Sequence, residues 1–423
     1  QAALLAPELW RRTPCLRCMA SPGGEPRAEA PRKSRRWAKA SPAGPQGGDE
    51  PGAAQLHPAP PVPAAPRLAG GRGKGYGKPA ASSAGLGAGR GAGLVVAPFT
   101  AGVQTAYMQK YAEDIKRLQA RPDLPATARW IDSHCHLESI LQRSWRGGGK
   151  PQVTSQEPED DLPEHVAQWP PGVEACVSNF AFRRPSKPGK PPEWNWLERN
   201  LHHFEAGSAI SGKIWFTIGI HPHDHGNWDA TAEATVCRLA AHPKCVGIGE
   251  CGLDFFRHGD DVAKQQVAVF RAQASLAVRL KKALVVHARL ESAANEELFM
   301  THFRELVPEA HPVHLHCYSD SLALALELCR GWRNLRIGFT GAITFGDKGP
   351  KGRVQEALVR GLPLERLLIE TDGPYMCPAP FRGQTAHPGH VHRVAEKIAE
   401  WHGRSLGEVM EATRRSTAVV YGI

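Results

Sequence analysis

The chain reads as an α/β protein whose folded part is a (β/α)8 TIM barrel, preceded by a basic N-terminal region that lacks a core. Two observations predict the barrel. Eight short apolar runs of strand type recur, at about 129–134, 173–179, 214–220, 244–250, 283–287, 312–316, 334–339 and 366–371. Amphipathic segments separate most of them, at about 194–206, 229–241, 261–281, 291–306, 320–332 and 352–360, and a final helical pair covers about 388–402 and 405–420. Strands alternating with helices build a parallel sheet. Eight of them over roughly 295 residues suit one closed barrel. A doubly wound open sheet shares the same alternation and stays open as the alternative.

Residues 1–100 hold 15 Pro and 16 Gly, with 14 Lys+Arg against 5 Asp+Glu. Such a composition buries too little apolar surface to offset chain entropy, so the segment is expected to be disordered. The net charge of +10 belongs almost wholly to it, because the remainder carries 38 Lys+Arg and 37 Asp+Glu. Its densest basic cluster, 31–39, reads as a nuclear import signal or a nucleic-acid patch, and a plain solvated arm is the alternative. A nuclear location is expected on that basis, with the cytoplasm as the alternative. Cys15 and Cys18 form a lone C-x-x-C with no second pair, short of a four-ligand zinc site. The ten cysteines are otherwise scattered, which speaks against a disulfide framework and for a reducing compartment. No apolar run approaches the ~20 residues of a membrane helix, so no membrane partner is expected.

Residues 101–127 are a helical lead-in. Tyr107, Tyr111, Ile115 and Leu118 recur at helical spacing over 103–120, and Pro122 and Pro125 end the helix. The barrel follows over 128–423. Between Leu141 and Gly172 the first strand's connection is long and rich in Gly, Pro and acids. Loops of that length are functional or mobile, and this one would rise from the active face as a lid or an insertion.

The chemistry-bearing residues fall at the strand ends. In Asp132-Ser133-His134-Cys135-His136 the two histidines sit at i and i+2, share a strand face and can chelate one metal. Alone, an H-x-H is a weak signal in a chain with 20 His. Gly249-Glu250-Cys251-Gly252-Leu253-Asp254 puts a carboxylate at the end of an apolar run, where Glu250 can bridge two ions through its two oxygens. His287 closes a very apolar strand, and Arg289 two residues on can reach a phosphate. His314 and His316 again share a face, and their chemistry leaves open which of them binds metal. Asp372 ends the last run as a metal ligand and general base. Glu370 sits deeper and reads as a structural partner. Together these residues offer enough nitrogen and oxygen ligands for two ions of Zn, Mn, Fe or Mg type.

These motifs, with Ile220-His221-Pro222-His223, His287-Ala288-Arg289, His316-Cys317-Tyr318-Ser319 and Glu370-Thr371-Asp372-Gly373-Pro374-Tyr375, resemble the TatD family of metal-dependent deoxyribonucleases over about residues 129–422. The resemblance implies an amidohydrolase-like barrel with two divalent ions (Mg, Mn or Zn). It implies that His134, His136 and Asp372 hold the first ion, that Glu250 bridges, and that His287 and His316 hold the second. His314 is left outside this set. His221 and His223 match a motif at the substrate mouth, where they contact phosphate or protonate a leaving group.

Metal-assisted phosphodiester hydrolysis of DNA or RNA is the expected activity, with 3′-to-5′ trimming implied by the family. Asp372 would take the water's proton and Arg289 would stabilise phosphoryl charge. Gly373, Ala288, Leu290 and Glu291 depart from the usual pattern and bear on substrate choice rather than metal binding. Two other readings stand beside this one: a small-molecule hydrolase acting on a lactone, amide or phosphotriester, and a non-catalytic nucleic-acid scaffold using the basic region.

Overall fold

Strands buried on both faces read as continuous apolar runs, and the eight segments obey that rule. They are β1 (Trp130–Cys135), β2 (Val173–Phe180), β3 (Ile214–Ile218), β4 (Cys245–Asp254), β5 (Ala283–Arg289), β6 (Val313–His316), β7 (Leu335–Phe339) and β8 (Leu367–Ile369). The structure is a computed structural model and describes residues 101–142, 162–181, 194–256, 262–346 and 349–423. The expected disordered region 1–100, its basic cluster, Cys15 and Cys18, and the middle of the 141–172 connection lie outside the described residues.

The strands pair in parallel in sequence order from β1 to β8. The seam between β8 and β1 is then clasped. The Asp372 amide donates to the His134 carbonyl (2.9 Å), and the His136 amide donates to the Gly373 carbonyl (2.7 Å). The Ser133 hydroxyl donates to the Ile369 carbonyl at 3.0 Å. Asp132 accepts from both the amide and the hydroxyl of Thr371, at 2.9 and 2.6 Å. A clasped seam makes a nearly closed barrel, which removes the open-sheet alternative.

The helices are α1 (Ala101–Gln119), α2 (Leu137–Gln142), α3 (Leu162–Ala167), α4 (Asn195–Phe204), α5 (Ala230–Ala240), α6 (Ala263–Leu280), α7 (Ala293–Leu306), α8 (Leu322–Gly331), α9 (Pro350–Gly361), α10 (His392–His402) and α11 (Leu406–Tyr421). Local sequence starts several of them. Asp229, Ser292 and Ser321 each accept an amide of the first turn of α5, α7 and α8. Ser405 and Glu408 form a reciprocal capping box on α11. α2 and α3 go beyond the sequence expectation. At six residues each they are too short for a helical period, and they stand on buried Leu137, Ile140 and Leu141, and on Leu162, His165 and Val166.

α1 lies against the segment after β8. The Tyr107 hydroxyl is 2.9 Å from His387 Nε2 and 3.2 Å from His390 Nε2. Tyr107 and Tyr111 form a satellite apolar cluster with Cys377, Phe381 and Ala386. Buried Asp114 pairs with His392 Nε2 at 2.9 Å and with Arg393. The period that predicts the helix thus also identifies its buried face.

Candidate metal centre

β4 does most to build the site. Between Ile248 and Cys251 its pairing with β5 slips by one residue, a β-bulge of the kind that re-aims a side chain. Gly252 makes the close approach feasible: its φ is +148°, and a Cβ there would lie 2.0 Å from the His287 carbonyl oxygen. β4 therefore runs on to Asp254, four residues past the expected end, with Glu250 buried among imidazoles.

Glu250 Oε2 lies 2.7 Å from His316 Nε2, 3.4 Å from His134 Nε2 and 4.0 Å from His287 Nδ1. Its Oε1 is 3.9 Å from both His136 Nε2 and His221 Nε2. On the β8 side, Asp372 Oδ1 is 3.3 Å from His136 Nε2 and 3.7 Å from His134 Nε2. Four donor groups of metal-binding size result among the described residues: His134–His136–Asp372, His134–Glu250–His316, His221–Glu250–His287 and His134–His314–Glu370. All six sequence-predicted ligands converge here. His221, expected at the substrate mouth, stands among the ligand groups themselves.

Surrounding residues fix the rings. His136 Nδ1 is 3.0 Å from the Asn179 carbonyl oxygen, and the Asn179 side chain accepts the Glu250 amide at 3.1 Å and reaches His134 Nε2 at 3.3 Å. Asp254 Oδ2 is 2.9 Å from His287 Nε2 and 2.9 Å from His223 Nε2. The His223 amide donates to His221 Nδ1 at 3.0 Å. Sequence reasoning missed Asn179 and Asp254 as site residues. Asp254 carried a signal, because it stands four residues after Glu250 and so shares its alternation along the strand. Asn179 carried none beyond its place at a strand end.

His314 and Glu370, both outside the expected ligand set, share the fourth group with His134 and also have partners of their own. His314 Nδ1 is 2.6 Å from the Tyr421 hydroxyl and its Nε2 2.9 Å from Glu370 Oε2. Glu370 Oε1 also accepts the Cys317 amide at 2.5 Å. Gly338 makes the room, since a Cβ there would meet both Glu370 Oε2 and His314 Nε2 at 2.5 Å. Arg289 is half-buried and lies near Cys317, Asp320 and Asp372.

The protonation states suit a cation. Burial pushes Glu250 up, but the His316, His221 and His134 rings outweigh it and hold the carboxyl well below its ordinary value. Burial and neighbouring rings push His134 and His221 well below theirs. Burial carries His287 down to about 4, against the pull of Asp254. His316 and His136 are raised despite burial, His316 by Glu250 and His136 by Asp372 and Glu250. Glu370 rises to about 8 because it is buried. Buried Glu250 Oε2 has no aligned hydrogen-bond donor. An ionised Glu250 facing neutral His134, His221 and His287 rings matches the donor set of a borderline divalent cation. The residues present therefore fit a divalent metal.

Comparison with known proteins agrees with this geometry. Residues 131–422 match the family described as TatD related DNase. The human 3'-5' RNA nuclease TATDN2 is 28% identical over 297 residues, covering 70% of this chain and 35% of that protein. The chain thus spans about a third of that relative's length. The 3'-5' ssDNA/RNA exonuclease TatD of Shigella flexneri is 32% identical over 213 residues, 49% of this chain and 78% of its own. Among solved structures, the TatD homologue YJJV from Escherichia coli superposes with a TM-score of 0.53 at 22% identity, over 70% of this chain and 99% of that one. A TatD family hydrolase from Entamoeba histolytica gives 0.54 at 17% identity, over 70% and 99%. These two likenesses show the shared barrel. With the family match spanning the whole barrel and every expected ligand converging at its mouth, the chain belongs to the TatD related DNase family.

Proposed function

We propose that this chain is a metal-dependent nuclease that hydrolyses phosphodiester bonds of DNA or RNA from the 3′ end through a two-metal centre. The observation that carries the reading is the place of Glu250. It lies within 4 Å of His134, His136, His221, His287 and His316, sharing one donor group with His134 and His316 and another with His221 and His287, while His134 also belongs to the group with His136 and Asp372. A single carboxylate so placed can serve two ions, with His134, His136 and Asp372 completing one set and His287 and His316 the other. When bound, divalent ions there supply Lewis acidity toward phosphoryl oxygens and toward water.

The chain's own residues do the rest. Asp372 presents Oδ1 to the cage while its amide is tied to β1, so it can accept the proton of attacking water without moving. Burial disfavours the charge on Arg289, but Cys317, Asp320 and Asp372 outweigh this and keep it cationic against a phosphate. His223 Nε2 lies 2.9 Å from Asp254 Oδ2 at the edge of the cage, where the ring is placed to serve a leaving oxygen. The 3′-to-5′ polarity is supported by the names of the human and Shigella relatives.

The test is hydrolysis of end-labelled single-stranded and duplex DNA and RNA by the full chain with Mg, Mn or Zn, beside a His136→Ala/Asp372→Asn double variant. Metal-dependent shortening from the 3′ end that vanishes in the double variant is expected. Metal uptake with no cleavage of any polynucleotide would overturn the nuclease reading and direct attention to small-molecule esters and amides.

A further inference from the structure

Two aromatic rings stand exposed at the mouth of the barrel. Phe256 is 63% exposed and Tyr375 37%, and among the described residues no other Phe, Tyr or Trp is as open. Each sits just beyond a site acid. The Phe256 amide donates to Asp254 Oδ1 at 3.0 Å. The Tyr375 amide donates to the Asp372 carbonyl at 3.0 Å. The Tyr375 ring also meets the His136 ring edge-on, with centroids 6.2 Å apart. The rings follow β4 and β8, which are separated by three strands on either side of the barrel. Phe256 thus follows the strand that carries Glu250 and Asp254, and Tyr375 follows the strand that leads to Asp372.

An exposed aromatic ring leaves its apolar surface in water. Placed beside a cage that takes phosphate, such a ring finds its complement in a nucleobase, because every base has a π-face and stacking tolerates sequence. Positive charge accompanies the rings: Lys351 Nζ lies 5.6 Å from the Phe256 centroid, and Arg289 is near Asp372. Bases inside a duplex have both faces covered by neighbours, whereas unpaired bases do not.

Building on the nuclease reading above, we propose that Phe256 and Tyr375 are base-stacking platforms that hold nucleotides next to the phosphate at the cage. They hold the bases by their π-faces, with little preference for sequence.

The experiment uses the full chain and a short single-stranded DNA carrying 2-aminopurine near its 3′ end, with binding read by fluorescence. A matched strand is abasic at the positions flanking the terminal phosphodiester. The variants are Phe256→Ala and Tyr375→Ala, with Phe256→Tyr and Tyr375→Phe as versions that keep a ring. Removing one ring is expected to weaken binding roughly 5- to 150-fold, the equivalent of about 1–3 kcal/mol per stacked base. The ring-keeping variants hold their affinity, and the loss disappears on the abasic strand. Equal binding by the alanine variants, or an equal loss on both strands, would overturn the platforms. Cleavage is scored separately. Base-dependent binding without cleavage leaves the platforms standing and sinks the nuclease reading. Cleavage that is indifferent to the rings does the reverse.

Discussion

Asp254 Oδ2 lies 2.9 Å from His287 Nε2, so the second nitrogen of that ring, Nδ1, is the one turned toward Glu250. The same oxygen is 2.9 Å from His223 Nε2. One carboxylate thus sets the orientation of both the His287 ring, proposed above as a ligand, and the His223 ring. Carboxylate partners of ligating histidines fix the tautomer and raise ligand basicity. Asp254→Asn is expected to weaken divalent metal binding about 10- to 100-fold while the fold survives. Competition with a chromogenic chelator, with circular dichroism as the control, reads this directly. Unchanged affinity would remove Asp254 from the site.

The bulge in β4 makes a prediction about Gly252. Its φ of +148° and the 2.0 Å approach of the His287 carbonyl leave no room for a methyl group. Gly252→Ala is expected to cost at least about 1–3 kcal/mol from backbone strain alone, with metal affinity falling too as Glu250 is displaced. A methyl group added at Gly226 would meet nothing within 4 Å, which makes that position the control, so Gly226→Ala should stay within about 0.5 kcal/mol of the parent. Urea unfolding of both variants checks the contrast. Equal midpoints would mean that β4 relaxes around the added carbon.

The sequence legibility of this site divides along physical lines. Strand runs and the strand-end His, Glu and Asp side chains that converge were readable because burial on both faces enforces apolar segments and polar groups fall where those segments end. The one-residue slip in β4 was not readable. An extra residue leaves the composition of Val246–Asp254 unchanged and shows itself only against β5. Asn179 escaped for a similar reason, since its partners His134 and Glu250 come from other strands. The helical period of α1 was plain. Its partners His387, His390 and His392 lie far along the chain and are assigned only by the fold.

Metal uptake should release protons. His136 and His316 are raised above their ordinary value, and a metal binds only the neutral ring. Protons held on these rings must leave as the ion enters, so affinity falls as pH drops through the raised range. His287, lowered to about 4, is already neutral at pH 7 and adds no such dependence near neutrality. Calorimetric titration of Zn in buffers of different ionisation enthalpy counts the protons. A heat independent of buffer at every pH from about 5 to 8 would contradict the raised protonation of His136 and His316.

The last prediction concerns acid stability and the docking of α1. Asp114 is buried, which raises its carboxyl, but His392 and Arg393 outweigh this and bring it down to about 2. A carboxylate with a folded value below its unfolded value stabilises the fold at any pH above the unfolded value near 4. That contribution is lost as pH falls through the folded value near 2. The shift corresponds to about 2 kcal/mol. Asp114→Asn should therefore be less stable than the parent at pH 7 by at least that order, because His392 and Arg393 also lose a buried partner. Between about pH 4 and pH 2 the gap should narrow, since the parent carboxylate is then being neutralised. Chemical unfolding of parent and variant at pH 7, 4 and 2.5 measures the difference. A gap that is constant with pH would show that Asp114 stabilises the fold through packing rather than charge, and would detach the α1 docking from this ion pair.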